Sequence, residues 1–283
     1  TGAVFRGCRL AGASFARAKL MGAVFEGADL TGASFDGARF DDTVLDDANL
    51  SRAKLAGADL STSSLHGARL DGADLRQAHV FKAVLDGADL TEAQLGGARL
   101  VQCILDEATP ENVDLRGCTL DQSSLAQANL AGANLTEVSL KRASFEGASL
   151  RGAKLLRASC RHARFDGADL DGADLRELSG RDASFEGATC KKALFDGADL
   201  VRAYFAKADV RFASLRNARV TYGQFQHAKL DHADLRDADL ELARLHRATR
   251  EGWRVDGANL KNAQETDAVV ARAEDFKTRT EPA

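Results

Sequence analysis

Proline is almost missing from this chain. Pro110 and Pro282 are the only two among 283 residues, Trp253 is the only tryptophan and Met21 the only methionine. With Ala and Gly abundant instead, the composition argues against an ordinary globule. No run of about 18 or more apolar residues occurs, so no segment can span a membrane as a helix. No signal peptide is expected from these residues. Charge of one sign is not in excess: 38 Lys and Arg stand against 42 Asp and Glu, a net −4, with the signs interspersed. That balance gives no basic field for gripping nucleic-acid phosphates and is too mild for a strongly acidic surface. The five cysteines have neither the close spacing of a metal site nor a disulfide framework, and a reducing, cytoplasmic bacterial setting is expected.

A period of five residues fills the space these absences leave. Of the 52 every-fifth positions from Phe5 to Leu260, 43 are Leu or Phe and six more are Val or Cys. Two residues earlier in each unit, 41 of 52 positions are Ala, and 22 of the 25 glycines lie two residues after the Leu/Phe position. The phase never slips. On an α-helix, five steps of about 100° would spiral the apolar positions round the axis. On a strand, odd spacing would throw successive Leu residues onto opposite faces. The pattern is satisfied if the chain turns a corner every five residues and points each Leu/Phe at a common axis. Four such sides close a coil of 20 residues, and stacked coils pair like parallel strands. Glycine suits the corners, where positive φ is tolerated.

Strings such as Ala28-Asp29-Leu30-Thr31-Gly32 and Ala198-Asp199-Leu200 resemble the A(D/N)LXX signature of the pentapeptide-repeat family. The resemblance covers roughly residues 2–262 and implies an all-β, right-handed quadrilateral parallel β-helix of about 13 coils. It does not imply one function. The expected organisation is a β-solenoid over 1–262 and a C-terminal cap helix and tail over 263–283. The chain opens at Thr1 already in phase, so a natural N-terminal region is expected to precede it.

Three places break the pattern. Pro110 occupies a core position and cannot donate a backbone hydrogen bond, which predicts a bulge or kink. Gly180 marks a second soft spot. Arg250 at a core position and Trp253 at an Ala position predict distortion near the solenoid end. Beyond Leu260, Thr266 and Asp267 precede Val269, Ala273 and Phe276 at helical spacing, which predicts a short helix covering the open edge of the last coil.

Candidate chemistry is sparse. All five cysteines fall on inward positions and read as small apolar residues. All six histidines point outward; His227 and His232 fall on adjacent sides, which makes a shared metal doubtful. Asp is a favoured outward residue, so carboxylate pairs carry no information, and the densest acidic group spans Asp36 to Asp47. The glycines recur at corners instead of forming a phosphate loop. No catalytic residue, cofactor or metal site is assigned. From Arg202 to Arg247 the corner glycines give way to larger residues. Arg202, Tyr204, Phe212, Tyr222, His227, His232, Leu242 and Arg247 are the candidate partner-binding residues, because exposed aromatics with Arg suit an interface.

The expected function is a non-catalytic protein-interaction scaffold or adaptor, with oligomerisation open through the coil ends. The closing run Thr266 to Phe276 resembles that of bacterial pentapeptide proteins encoded beside type VI secretion components. That likeness implies a secretion-system component or an effector as partner. A DNA-mimicking gyrase modulator of the quinolone-resistance type and a secreted effector scaffold are the alternatives, and direct nucleic-acid binding is not expected.

Overall fold

The computed structural model describes residues 2–275 as a four-sided parallel solenoid. Outside the coil of Pro110, the residue before each Leu/Phe pairs with the residue 20 positions later: Val4 with Val24, Val24 with Val44, and so on to Arg244 with Gln264. Twenty residues therefore make one coil, and the regular ladder ends at Gln264. Among the described residues, 31 non-glycine residues and 22 glycines take the left-handed φ of the second corner position. At four corners per coil these make about 13 coils, roughly 60 Å of rod at about 4.8 Å each. Only His79–Phe81 (β1) and Arg99–Val101 (β2) extend the pairing to three residues, in parallel register.

Backbone hydrogen bonding explains the repeat. Within one unit, Phe25 N–H donates to Val44 O of the next coil at 2.7 Å and Gly27 N–H to Asp46 O at 2.9 Å. Ala28 N–H closes the turn on Phe25 O, and Asp29 N–H reaches back to Cys8 O of the preceding coil. Four of every five amides are thus satisfied by backbone, and the first corner amide is left over. Asp or Asn two residues earlier accepts it: Thr31 N–H donates to Asp29 Oδ1, Ser51 N–H to Asn49 Oδ1 and Arg116 N–H to Asp114 Oδ1. This Asx turn gives the D/N of the signature a physical cause. Where the next unit supplies Arg, the carboxylate also takes the guanidinium, as in Asp74–Arg76 and Asp234–Arg236. The Arg236 hydrogen bond holds the Asp234 carboxyl down at about 2.

The core is a continuous column. Phe145, Phe165, Phe185, Phe205 and Phe225 stack at 4.8–5.0 Å, one coil apart. Phe195, from the opposite side, meets Phe185 edge-on at 5.7 Å. At the rod ends Phe5, Leu10, Val255 and Leu260 are only partly buried.

The three breaks behave differently from one another. On the upstream side of the Pro110 coil, no ladder hydrogen bond from Leu90, Glu92, Leu95 or Gly97 is found among the described residues, and the Gln94–Asp114 pairing is lost. On the downstream side, Asn112 N–H to Ala131 O and Leu115 N–H to Asn134 O persist. The expected bulge is therefore a seam that is widest on the upstream side, with the Thr109–Asn129 pairing also lost downstream. Gly180 is not a soft spot: Gly180 N–H still bonds Asp199 O at 2.9 Å. Leu178, standing where Ala is usual, fills the space, and a Cβ on Gly180 would meet its Cδ2 at 3.0 Å. Near the end, Arg250 turns outward over Trp253 at 5.1 Å and pairs with Glu265 at 2.7 Å.

A helix follows, α1 (Ala268–Asp275). Asp267 starts it by accepting Val269 N–H and Val270 N–H. The preceding Thr266 ends the ladder, its Oγ1 taking the Arg247 N–H that a backbone carbonyl accepts elsewhere. None of the helix residues is buried. Its polar contacts run to His227, His246 and Arg247 on the rod flank, while Val255 and Leu260 at the coil end stay partly open. Phe276 and the rest of the tail lie outside the described residues.

Candidate functional site

Residues 20 apart stack in one column, so the candidate partner-binding residues sort by position in the coil. Arg202, Tyr222 and Leu242 share one corner column, and Tyr204 stands on the side that leaves that corner. Tyr204 and Tyr222 are 50% and 48% exposed. Arg202 is not free there: its guanidinium grips Asp182 through two bonds of 2.6 and 2.9 Å. Phe212 and His232 stack on each other at 5.1 Å in the diagonally opposite corner column. They do not join the tyrosines. His227 and Arg247 occupy a third column.

That third column holds the densest polar cluster. His227 Nε2 lies 3.5 Å from Glu274 Oε1, and His246 Nε2 lies 3.4 Å from Glu274 Oε2. Arg247 brings its Nε within 2.9 Å of Glu274 Oε2, its Nη2 within 2.7 Å of Asp275, and also donates to Ala271 O. The Asp275 hydrogen bond raises the Arg247 pKa further above its usual value. His246 Nδ1 accepts the Asp267 N–H at 3.2 Å. The cluster lines a cleft of about 380 Å³ with Glu265 and Val270. His232, considered with His227 from the sequence, is on the neighbouring corner with Phe212; the partner of His227 is His246. A separation of 19 in a coil of 20 places two residues on one corner, and that signal was readable. Glu274 was not, because it comes after the period ends.

Four of the cysteines are buried, and Cys8 is partly so. Burial pushes the Cys103 and Cys118 thiols up to about 11, and those of Cys160 and Cys190 higher still. Thiols held neutral in this way are poor nucleophiles and poor ligands. No helix among the described residues is long and apolar enough to cross a membrane.

Comparison with known proteins agrees with this architecture. The family profile "Pentapeptide repeats" matches residues 1–37, 43–80, 68–106, 111–147, 143–177, 183–221 and 224–262. Among solved structures, the chain is similar to HetL, a pentapeptide repeat protein involved in heterocyst differentiation regulation from the cyanobacterium Nostoc. The identity is 29%, over 75% of this chain and 91% of HetL, with a TM-score of 0.38. It is also similar to a trypsin-treated variant of QnrB1, a plasmid-mediated fluoroquinolone resistance protein. There the identity is 20%, over 69% of this chain and 97% of that one, with a TM-score of 0.43. A search of curated proteins finds no match. With the 20-residue coil, the inward Leu/Phe column and the family profile recurring in phase to residue 262, the chain belongs to the pentapeptide-repeat family.

Proposed function

We propose that the protein is a non-catalytic scaffold that holds a partner protein against the corner bearing Tyr204, Tyr222 and Leu242. One observation carries this reading. Two tyrosines, each about half open to solvent at 50% and 48%, occupy outward slots that the packing of the rod leaves free. Both rings lie outside the core column, and exposed aromatics close together are characteristic of binding surfaces. Arg202, already oriented by Asp182, stands beside them as a rim charge. Phe212 and His232 on the far corner, and Arg247 beneath α1, are left out of this surface.

Changing Tyr222 and Leu242 together to Ser should leave the melting temperature nearly unchanged. Capture of the native partner should weaken by at least about 2 kcal/mol, the usual size of an interface hot spot. Equal capture by both proteins sinks the proposal, and an unfolded variant assigns the residues to structure instead.

A DNA-mimicking reading fares worse on magnitude. B-DNA carries one negative charge per about 1.7 Å of axis, or about 35 over the length of this rod. The chain offers a net −4. Stoichiometric protein should therefore leave gyrase supercoiling unaffected. The type VI secretion role rests on the closing run alone, and in that run Thr266 and Asp267 already have the work of ending the ladder and starting α1.

A further inference from the structure

We propose that His227, His246 and Glu274 form a binding site for a divalent transition-metal ion, best suited to zinc, that clamps α1 to the flank of the solenoid. The donor set fits that class. Two imidazole nitrogens with one carboxylate favour zinc and its neighbours, whereas magnesium and calcium prefer all-oxygen sites. The distances fit as well. In a tetrahedral zinc site with bonds of about 2.0–2.2 Å, neighbouring ligand atoms stand about 3.3–3.5 Å apart. The two imidazoles approach the carboxylate at that spacing, His227 at 3.5 Å from Oε1 and His246 at 3.4 Å from Oε2, so whichever oxygen binds already stands at the right distance from one of them. All three ligand atoms lie within 4.8 Å of one another. The other His–Glu edge and the His–His edge therefore each close by at most about 1.5 Å, a side-chain adjustment on an open corner. The cluster opens on the cleft, where water can complete the shell.

The surroundings supply the support such a site needs. Arg247 stands 2.9 Å from Glu274 Oε2 and ties α1 through Ala271 O and Asp275, which keeps the carboxylate beside the imidazoles. The charges facing the cluster are mixed, with Arg244 and Arg247 against Glu265, Asp267 and Asp275. Binding has one internal cost. Without metal, the Asp267 N–H contact makes His246 Nδ1 an acceptor and places the ring proton on Nε2. Coordination through Nε2 requires the proton on Nδ1, so the Asp267 amide must give up that bond. Solvent carries the proton between the two nitrogens, and no net proton is lost from the neutral ring. The clamp follows from connectivity: two ligands belong to adjacent coils and the third to the helix, so the ion adds a bridge to the ion pairs and the Arg247–Ala271 hydrogen bond that already join them.

The test uses the full chain with ZnCl2 and CoCl2. Calorimetry should give one zinc per chain, and cobalt should develop the visible absorption of tetrahedral Co²⁺. His246→Ala and Glu274→Gln should each weaken zinc binding at least about tenfold, while His162→Ala, on another corner, leaves it unchanged. Saturating zinc should slow tryptic cleavage after Arg272 in α1 by a similar factor in the wild type and not in Glu274→Gln. Circular dichroism checks that each variant keeps the solenoid. No binding, binding that survives both ligand substitutions, or tetrahedral cobalt without protection at Arg272 would each overturn the proposal.

Discussion

Pro110 and Gly180 occupy the same kind of slot, an inward position meant for Leu or Phe, and the rod answers them in opposite ways. Around Gly180 the ladder continues unbroken because what is missing is volume, and Leu178 supplies it from two residues upstream. Around Pro110 the donor to Asn129 O is missing, which a side chain elsewhere cannot replace, and the ladder on the opposite, upstream face of the coil opens as well. The coil keeps Asn112 and Leu115 bonded downstream, loses the Thr109–Asn129 pairing there, and loses several bonds upstream. The solenoid therefore tolerates an error in packing better than an error in its hydrogen-bond ladder, provided the packing error has a neighbour able to grow into it.

The largest effect should come from a change that violates packing with no neighbour to absorb it. Leu130 lies fully buried between the two breaks, with its amide bonded to Ser149 O at 2.7 Å. Leu130→Asp should cost several kcal/mol, because the carboxylate has no partner there. Wild-type thermal stability in that variant would break the comparison at its root. Next in size is Gly180→Leu, which overfills the space held by Leu178 and Leu200 and should destabilise by about 1–3 kcal/mol in denaturant titration. Adding Leu178→Ala to it should recover most of that loss, since the pair then matches the common Ala–Leu unit. If the double variant is no better than the single one, compensation by Leu178 is wrong.

Pro110→Leu should act in the other direction. Restoring the N–H opposite Asn129 O is worth about 1 kcal/mol. In the wild type, the amides of Leu90, Glu92, Leu95 and Gly97 should exchange faster than that of Leu130, and the substitution should narrow the gap. Equal exchange rates at both places would show that the seam is closed in solution. The smallest effect concerns thiol chemistry. Cys103 and Cys118 sit in the coils beside the seam, while Cys160 and Cys190 lie in the unbroken stretch. All four should react slowly with a water-soluble alkylating reagent, and the first two faster than the others. Rapid labelling of Cys160 would instead place an opening where the ladder is intact.

The solenoid was legible because one period repeated without a slip decides the direction of every side chain. The compensation at Gly180 was written in the sequence as a Leu at an Ala position, but it is recognised only when volumes within one unit are added together. Which side of Pro110 opens was not legible, since it depends on how one coil settles between two neighbours. The candidate interface was legible only in part. Tyr204, Tyr222 and Leu242 share an edge, but Phe212 and His232 belong to the opposite corner, a distinction that counting by 20 reveals and a linear run conceals. The place of α1 against His227, His246 and Arg247 lay beyond reach, because the repeat gives no instruction past Gln264.

The exact register of the coil makes position on this rod a matter of counting. Removing 20 consecutive residues from an unbroken stretch, such as 121–140, would shorten the rod by about 4.8 Å and return every later side chain to its original face. Removing five would preserve the Leu/Phe core equally well but turn everything downstream by a quarter of a revolution. Tyr204 and Tyr222 would then face a different direction relative to the N-terminal coils, with no change in their own surroundings. Distance and direction along this molecule can be altered separately, by the choice between multiples of 20 and multiples of five.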